Sequence, residues 1–383
     1  MNILIAPDSL KGSLNAVDFC ELSAESIKRV IPDANLHMIP MADGGEGTID
    51  AILAISPGKL QKASVMDPLE RLVEAQYAIL EDGHTAIIEM AQASGLPLLK
   101  PDERDPLYTT SFGTGELITH ALNKGCRRFI IGLGGSATND GGVGMLQALG
   151  AIFLDKNGLA IKPGGKYLHD IESIELSNFD SRIALSEIII AGDVTNPLLG
   201  TKGATHTFGP QKGATQESLK ALETALTHFA LKTEAHLNLQ DKPLASIAGT
   251  GAAGGMGFAL MAYCQASMKS GFELIAEMAR LDGLIAGGKI DLILTGEGQF
   301  DNQSLDGKLV GRLSQRATEH NIAIIILCGS IGDDLDYLTI SEHLALFSLS
   351  RGPSSLEYAM KNSAYLLEDA IFNIFKLLQY KPK

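Results

Sequence analysis

Short runs of mainly β-branched residues recur along the chain, and each is followed by glycine or a polar turn and then by a helical pattern. The apolar runs lie at 2–6, 37–41, 129–133, 187–192, 291–296, 323–329 and 345–350. The helical patterns lie at 15–30, 114–124, 143–150, 216–232, 273–286 and 355–379. Continuous apolar strands of this length suit a parallel sheet covered by helices on both faces. The alternation therefore predicts an α/β fold.

Residues 60–90 depart from this pattern, because apolar and polar positions alternate there around an Asp-Gly turn signal. Such a segment is typical of an antiparallel hairpin. A chain of 383 residues suffices for about two to three domains. We expect two α/β domains with an active-site cleft between them. Residues 1–60 and 287–383 form a Rossmann-like open parallel sheet built from both ends of the chain, and residues 61–286 form an inserted mixed α/β domain.

Charge and cysteine usage exclude several functional classes. The formal net charge is −14 and no basic stripe occurs, which argues against nucleic-acid binding. The four cysteines are widely spaced without a C-x-x-C pair, so a disulfide framework or zinc site is not expected. The first residues lack a basic n-region, and no segment approaches the roughly 18 apolar residues of a membrane span. We expect a cytoplasmic protein with no membrane partner.

The stretch GLGGSATNDGG, residues 132–142, contains five glycines between a predicted strand and a predicted helix. It satisfies the dinucleotide fingerprint G-x-G-x-x-A, as does GTGAAG at 249–254. Two adjacent glycines in the first helical turn would cost about 1 kcal/mol each, so the helix is expected to begin after Gly142. A glycine loop with hydroxyls ahead of a helix is also a good phosphate cradle. An NAD-dependent oxidoreductase and a non-catalytic binding protein remain alternatives.

Acidic residues follow other predicted strands as well. They occur in APDSLKGS (6–13), ADGGEGT (42–48), AGDVTNPL (191–198) and TGEGQFDNQS (295–304). Each loop alone is more often a simple turn, since Asp and Gly are favoured in tight turns. Ligands of open α/β sheets bind outside the carboxyl ends of the strands, however. The repetition at strand ends therefore predicts one convergent site.

Ten motifs in order along the chain carry a resemblance to a known family. They are IAPDSLKGSL, PMADGGEGT, MDPLERLVEA, IEMAQASGL, TTSFGTGELI, GLGGSATNDGGVGMLQALGA, AGDVTNPLLG, FGPQKGA, GTGAAGGMG and LTGEGQFDNQSLDGK. With them the chain resembles the bacterial type-I glycerate kinases over essentially its whole length. The resemblance implies ATP-dependent phosphorylation of D-glycerate with Mg²⁺, giving 2-phosphoglycerate or, as the alternative, 3-phosphoglycerate. This sequence departs from the family pattern at Gln299, where the family frequently has arginine, and at Glu70, where the family usually has glycine.

Loop position and residue type then suggest roles for individual residues. The nucleotide phosphates are assigned to Gly134, Gly135, Ser136 and Thr138, with a second candidate loop at Gly251, Gly254 and Gly255. Lys11 is the first cationic candidate for a phosphate or for the glycerate carboxylate, and Lys212 is the next. Carboxylates are frequent Mg²⁺ ligands, and the candidates are Asp193 and Asp140. The catalytic candidates for the glycerate hydroxyl are Asp43, ranked first, then Asp8 and Glu297, with Lys11 and Asp193 beside them. A homodimer is possible.

Overall fold

The chain folds into two compact units in a computed structural model that describes residues 1–305, 309–333, 335 and 341–380. The first unit comprises Met1–Asp43, Asp50–Ser56 and Gly271–Lys383, and the second comprises Gly44–Ile49 and Pro57–Ser270. The sequence predicted domain boundaries after residues 60 and 286, and the corresponding boundaries between these units lie after Ser56 and Ser270. The predicted fold class, a parallel sheet from both chain ends and an inserted mixed α/β unit, is confirmed.

The strands, numbered along the chain, are β1 (Asn2–Ile5), β2 (Asn35–Met38), β3 (Gly58–Met66), β4 (Leu72–Leu80), β5 (Thr85–Glu89), β6 (Arg128–Gly132), β7 (Ile152–Leu154), β8 (Ser173–Glu175), β9 (Glu187–Ala191), β10 (Ser267–Lys269), β11 (Leu292–Phe300), β12 (Ala323–Ile331) and β13 (Leu344–Ser348). The α-helices are α1 (Ala16–Val30), α2 (Thr48–Ile55), α3 (Ala91–Ser94), α4 (Phe112–Asn123), α5 (Val143–Ala148), α6 (Ala204–Phe208), α7 (Gln216–His236), α8 (Ala252–Cys264), α9 (Gly271–Met278), α10 (Leu281–Ala286), α11 (Asn302–Leu305), α12 (Leu309–Glu319), α13 (Leu356–Lys361) and α14 (Ser363–Gln379).

The sheet of the first unit is parallel throughout, in the order β13-β12-β11-β1-β2. From β1 the chain continues outward to β2 on one side, and from β11 to β12 and β13 on the other. The strand order therefore reverses between β1 and β11, which is the topological switch point where open α/β sheets bind ligands. A core that includes Ile3, Phe19, Leu294, Leu367 and Phe375 covers one face, where α1 packs against α14.

The sheet of the second unit has the order β10-β9-β6-β5-β4-β3. The strands β5, β6, β9 and β10 are parallel, whereas β3, β4 and β5 form an antiparallel meander. The predicted hairpin in residues 60–90 is thus confirmed, and it is one of two consecutive hairpins. Large buried side chains such as Phe129, Phe153, Phe229 and Phe258 fill the core of this unit.

Two helical patterns are broken into pairs of helices. The pattern at 273–286 becomes α9 and α10, because Arg280 adopts a left-handed φ of 54° between them. The pattern at 355–379 becomes α13 and α14, which meet at Asn362. Among the described residues, no helix combines the length and apolarity that crossing a bilayer requires.

The turn between β3 and β4 contains a strained residue. Asp67 is buried, and its carboxylate accepts hydrogen bonds from the backbone N–H groups of Leu69 at 2.8 Å and Arg71 at 2.9 Å. Between them, the exposed Glu70 adopts a φ of 60°. A left-handed conformation costs a residue with a Cβ roughly 1–2 kcal/mol, and glycine does not have this cost.

Glu70→Gly is therefore expected to raise the free energy of unfolding. The relief of strain exceeds the extra chain entropy of glycine, which is about 0.4–1 kcal/mol, so the net gain is about 0.5–1 kcal/mol. Urea denaturation followed by circular dichroism measures it. Glu21→Gly is the control, since Glu21 is exposed within α1, and there glycine costs about 1 kcal/mol. Equal losses in both variants would contradict the expected relief of strain.

Candidate active site

Four predicted residues meet at the switch point of the first unit. Asp8 follows β1, and its backbone N–H donates to the carbonyl of Gly296 in β11 at 2.9 Å. Asp43 lies in the segment after β2, where the ammonium group of Lys11 contacts its carboxylate at 2.9 Å. Glu297 in β11 is close enough for its charge to act on Lys11. The first unit thus brings three carboxylates and one ammonium group to one sheet edge.

The charges in this cluster affect one another. Burial, and then the charge of Asp43, raise the pKa of Asp8 to about 6, against the opposing effect of the Ser9 backbone N–H and of Lys11. The Asp43 carboxylate is the main cause that raises the pKa of Lys11. Asp8 is therefore a carboxylate that can exchange a proton close to neutral pH, whereas Asp43 is tied to a cation. A base with such a pKa suits proton transfer from a hydroxyl group.

The sequence departure at Gln299 lies within the same strand. Gln299 is an exposed residue of β11. An arginine at this position would add a positive charge to the carboxyl-terminal half of that strand. Residues 306–308, at the end of the motif that contains Gln299, lie outside the described residues.

The loop at 132–142 follows β6, and α5 begins at Val143, immediately after Gly142 as predicted. A dinucleotide fingerprint instead requires the helix N-terminus within its glycines. The second literal match, at 249–254, leads into α8, where residues 253–255 have φ values of 53°, 65° and 96°. Neither match has the strand-turn-helix geometry of the fingerprint, so the oxidoreductase alternative lacks structural support.

The start of this loop presents donors suited to an anion. Gly134 and Gly135 reach the surface, and backbone hydrogen bonds with residues 94–96 fix the segment that follows. Among the described residues, the N–H groups of Gly135 and Ser136 have no acceptor in the protein, and the buried Thr138 Oγ1 has no hydrogen-bond partner. Unpaired donors in a glycine loop at the end of a strand fit phosphate oxygens.

Asp140, predicted as a metal ligand, is held inside the loop. Its Oδ2 accepts from the Ser111 N–H at 2.8 Å, the Ser111 hydroxyl at 2.8 Å and the Gly144 N–H at 3.2 Å, and its Oδ1 accepts from the Gly142 N–H at 3.1 Å. Burial raises the pKa of Asp140, and these hydrogen bonds oppose the rise. The carboxylate braces the first turn of α5, and its role as a metal ligand stays a prediction.

The glycines of the second candidate loop are buried against backbone. A Cβ on Gly254 would lie 2.1 Å from the carbonyl oxygen of Thr138, and one on Gly251 would lie 2.2 Å from that of Pro197. Gly255 has a φ of 96°, and a Cβ there would lie 2.9 Å from Gly141. These glycines allow two loops of the second unit to approach each other closely. Their predicted contact with nucleotide stays a prediction.

Lys212 and Asp193 occupy contrasting positions in the second unit. Lys212 is 1% exposed, and its ammonium group donates to the Thr138 carbonyl at 2.7 Å. Asp193 is exposed two residues beyond β9, the neighbour of β6. Among the described residues, no three His, Cys, Asp or Glu side chains are grouped as a metal site. Mg²⁺ does not need such a group, because it binds through one or two carboxylates, water and phosphate.

Glu89 is a residue that sequence reasoning did not select. It ends β5 opposite Gly132 of β6, is 5% exposed, and its Oε1 accepts from the Ile49 N–H at 2.9 Å. At the start of the segment that contains Ile49, the Gly44 carbonyl accepts a hydrogen bond from the Gly134 N–H at 3.2 Å. The sequence feature that could have identified Glu89 is its position as the acidic last residue of the apolar run TAIIE. Glu89 thus helps to fix Gly44–Ile49 at the carboxyl ends of the parallel strands.

Comparison with known proteins assigns this arrangement to one group. Residues 3–379 match the profile described as the glycerate kinase family. A glycerate kinase of Bacillus subtilis is 43% identical over 96% of this chain and 95% of its own. A glycerate 2-kinase of Escherichia coli is 43% identical over 95% and 94%. A crystal structure from Salmonella typhimurium LT2, provisionally described as glycerate kinase 2, matches with a TM-score of 0.86 and 42% identity over 99% of this chain and 98% of that one.

Proposed function

The chain belongs to the glycerate kinase family, and from this premise we propose that it transfers the γ-phosphoryl group of ATP to the 2-hydroxyl of D-glycerate. The observation that carries the proposal is the group of Asp8, Lys11 and Asp43 at the switch point of a parallel sheet, which combines a cation for an anionic substrate with a carboxylate that can take a proton. The similarity to a glycerate 2-kinase supports 2-phosphoglycerate as the product.

In this proposal the second unit holds the triphosphate. The N–H groups of Gly135 and Ser136 donate to phosphate oxygens at the start of the loop, whereas Thr138 is 0% exposed and its predicted phosphate contact stays a prediction. The exposed Asp193 would be the protein ligand of Mg²⁺, which supplies charge neutralisation on the transferring phosphoryl group when bound. Asp140 is the less suitable of the two predicted ligands, because both of its oxygens already accept hydrogen bonds.

The first unit orients glycerate. Lys11, whose side chain is 75% exposed, binds the glycerate carboxylate, while Asp8 accepts the proton of the attacking hydroxyl. This ranking differs from the one based on sequence, which favoured Asp43. Asp43 already accepts a hydrogen bond from Lys11, whereas the pKa of Asp8, about 6, leaves it ionised but basic at neutral pH. The approach of the two units around the substrates, a homodimer and a cytoplasmic location stay predictions.

The test is a phosphorus NMR spectrum of a reaction that contains the purified protein, D-glycerate, ATP and Mg²⁺. We expect the signal of 2-phosphoglycerate. A signal of 3-phosphoglycerate would keep the kinase but overturn the assigned hydroxyl. Absence of both products, from a protein that ATP and Mg²⁺ protect against thermal unfolding, would overturn glycerate as the substrate.

A further inference from the structure

Lys212 is an unusual residue for the interior of the second unit. It ends the turn Pro210–Lys212 that follows α6, and its side chain is 1% exposed. Lysine is almost never fully buried unless it is paired. Desolvation lowers the pKa of Lys212 to about 7, against the attraction of the nearby Asp140 charge. A group that is this costly to bury calls for a role that an apolar side chain could not fill.

The contact of Lys212 lies on the predicted phosphate loop. Its Nζ donates to the carbonyl oxygen of Thr138 at 2.7 Å. The other end of the same connection is Thr205, the second residue of α6, which is 0% exposed and whose hydroxyl accepts a hydrogen bond from the side-chain amide of Asn139 at 3.2 Å. The segment 204–212 thus holds two successive loop residues at two points.

The orientation of one peptide group follows from these contacts. In a trans peptide, the carbonyl and the next N–H point in opposite directions. The Thr138–Asn139 peptide is trans, and its carbonyl points toward Lys212, so the Asn139 N–H points away from Lys212. Within the described residues, this N–H has no acceptor in the protein, as is also the case for the Gly135 and Ser136 N–H groups.

We infer that Lys212 is a positioning residue: it fixes the Thr138–Asn139 peptide from the inside, so that the loop keeps its donors oriented for phosphate, and it does not itself contact the nucleotide. The effect of Lys212 on ATP binding rests on the proposed function, whereas its effect on the loop conformation does not and is present in the nucleotide-free protein. It replaces the sequence-based assignment of Lys212 to direct phosphate contact, because a 1% exposed ammonium group that already donates to a carbonyl is not presented to a ligand.

The test compares Lys212→Met, which keeps the length of the chain without a donor, with Lys212→Gln, which keeps an N–H donor without a charge. Lys220→Met is the matched control, since Lys220 is exposed on α7. In the nucleotide-free protein, amide hydrogen exchange of residues 134–142 is expected to rise in Lys212→Met and to return toward the wild-type rate in Lys212→Gln. Exchange in β6 and in the control stays unchanged.

Steady-state kinetics supplies the second readout. The KM for ATP is expected to rise roughly tenfold in Lys212→Met, as for loss of one hydrogen-bonded contact, while the KM for glycerate stays unchanged. Lys212→Gln recovers part of the ATP affinity. Loss of ATP affinity in both variants with unchanged loop exchange would overturn the inference in favour of direct charge contact. Unchanged exchange and unchanged KM would overturn it outright.

Failure of the proposed function, and failure of a variant to fold, can each be distinguished from failure of this inference. If the wild-type protein did not phosphorylate glycerate, the exchange experiment would still decide whether Lys212 holds the loop. If Lys212→Met did not fold, Thr205→Val tests the other attachment of the same segment, with the same direction of change in loop exchange. A Thr205→Val protein whose loop exchanges at the wild-type rate would contradict the bracing role of residues 204–212.

Discussion

Asp8→Asn is expected to lower kcat by roughly 10²–10⁴-fold at neutral pH, the range that removal of a general base produces. Asp8 lies at the switch point beside the pair of Lys11 and Asp43, and its own pKa of about 6 makes it basic enough to take a hydroxyl proton. Asparagine keeps the size of the side chain but cannot accept that proton. The measurement is kcat for glycerate phosphorylation at saturating ATP and Mg²⁺.

The pH profile separates a base from a residue that only shapes the site. For the wild-type protein, kcat/KM for glycerate should rise with pH through about 6, because Asp8 acts when ionised. This acidic limb should disappear in Asp8→Asn. In Asp43→Asn it should move to lower pH, since the charge of Asp43 is one of the causes that raise the pKa of Asp8. An unchanged limb in Asp8→Asn would reject Asp8 as the base.

Stability provides the control for this variant. The folded protein holds the Asp8 proton more tightly than the unfolded chain, whose pKa for this group is near 3.8. Ionisation of Asp8 therefore opposes folding, and stability falls as pH rises from about 4 to 6. The neutral Asp8→Asn variant should unfold no earlier than the wild type at neutral pH. Asp33→Asn, at an exposed turn residue, should leave both kcat and stability unchanged.

Local patterns predicted the framework of this protein well. The apolar runs predicted β1, β2, β6, β9, β11, β12 and β13, and the alternation at 60–90 predicted the antiparallel strands, whereas the short β10 was not predicted. Gly142 was correctly expected to precede the helix after the glycine loop. The acids after β1 and β2 were also expected to converge, and Asp8 and Asp43 do so in the first unit. These features depend on residues close in sequence and on the general rule that ligands bind at the carboxyl ends of parallel strands.

The inner contacts of the glycine loops could not be predicted in the same way. Asp140 resembles a metal ligand in sequence, yet its hydroxyl and backbone partners belong to Ser111, 29 residues earlier. Lys212 resembles a phosphate ligand, yet it contacts Thr138, 74 residues away. Polar and glycine residues in a loop give the same local pattern whether they face a ligand or another loop. Only the packing of distant segments distinguishes the two cases.

Gly254→Ala tests whether the second glycine loop needs glycine because its backbone packs closely against the backbone of the first loop. The new Cβ would lie 2.1 Å from the Thr138 carbonyl oxygen, at a φ of 65°. Left-handed strain of roughly 1–2 kcal/mol adds to an overpacking cost of about 1–3 kcal/mol, so the free energy of unfolding should fall by about 2–5 kcal/mol. Urea denaturation followed by circular dichroism measures this loss.

Gly158→Ala separates the two contributions. Gly158 has a φ of 75°, but a Cβ there would meet nothing within 4 Å, so this variant carries the left-handed strain alone. It should lose about 1–2 kcal/mol. The difference between the two variants then measures the contact with Thr138. Because that carbonyl is also the acceptor of Lys212, Gly254→Ala should raise the KM for ATP, whereas Gly158→Ala should not. Equal losses of stability and equal KM values would mean that the two loops do not depend on their close approach.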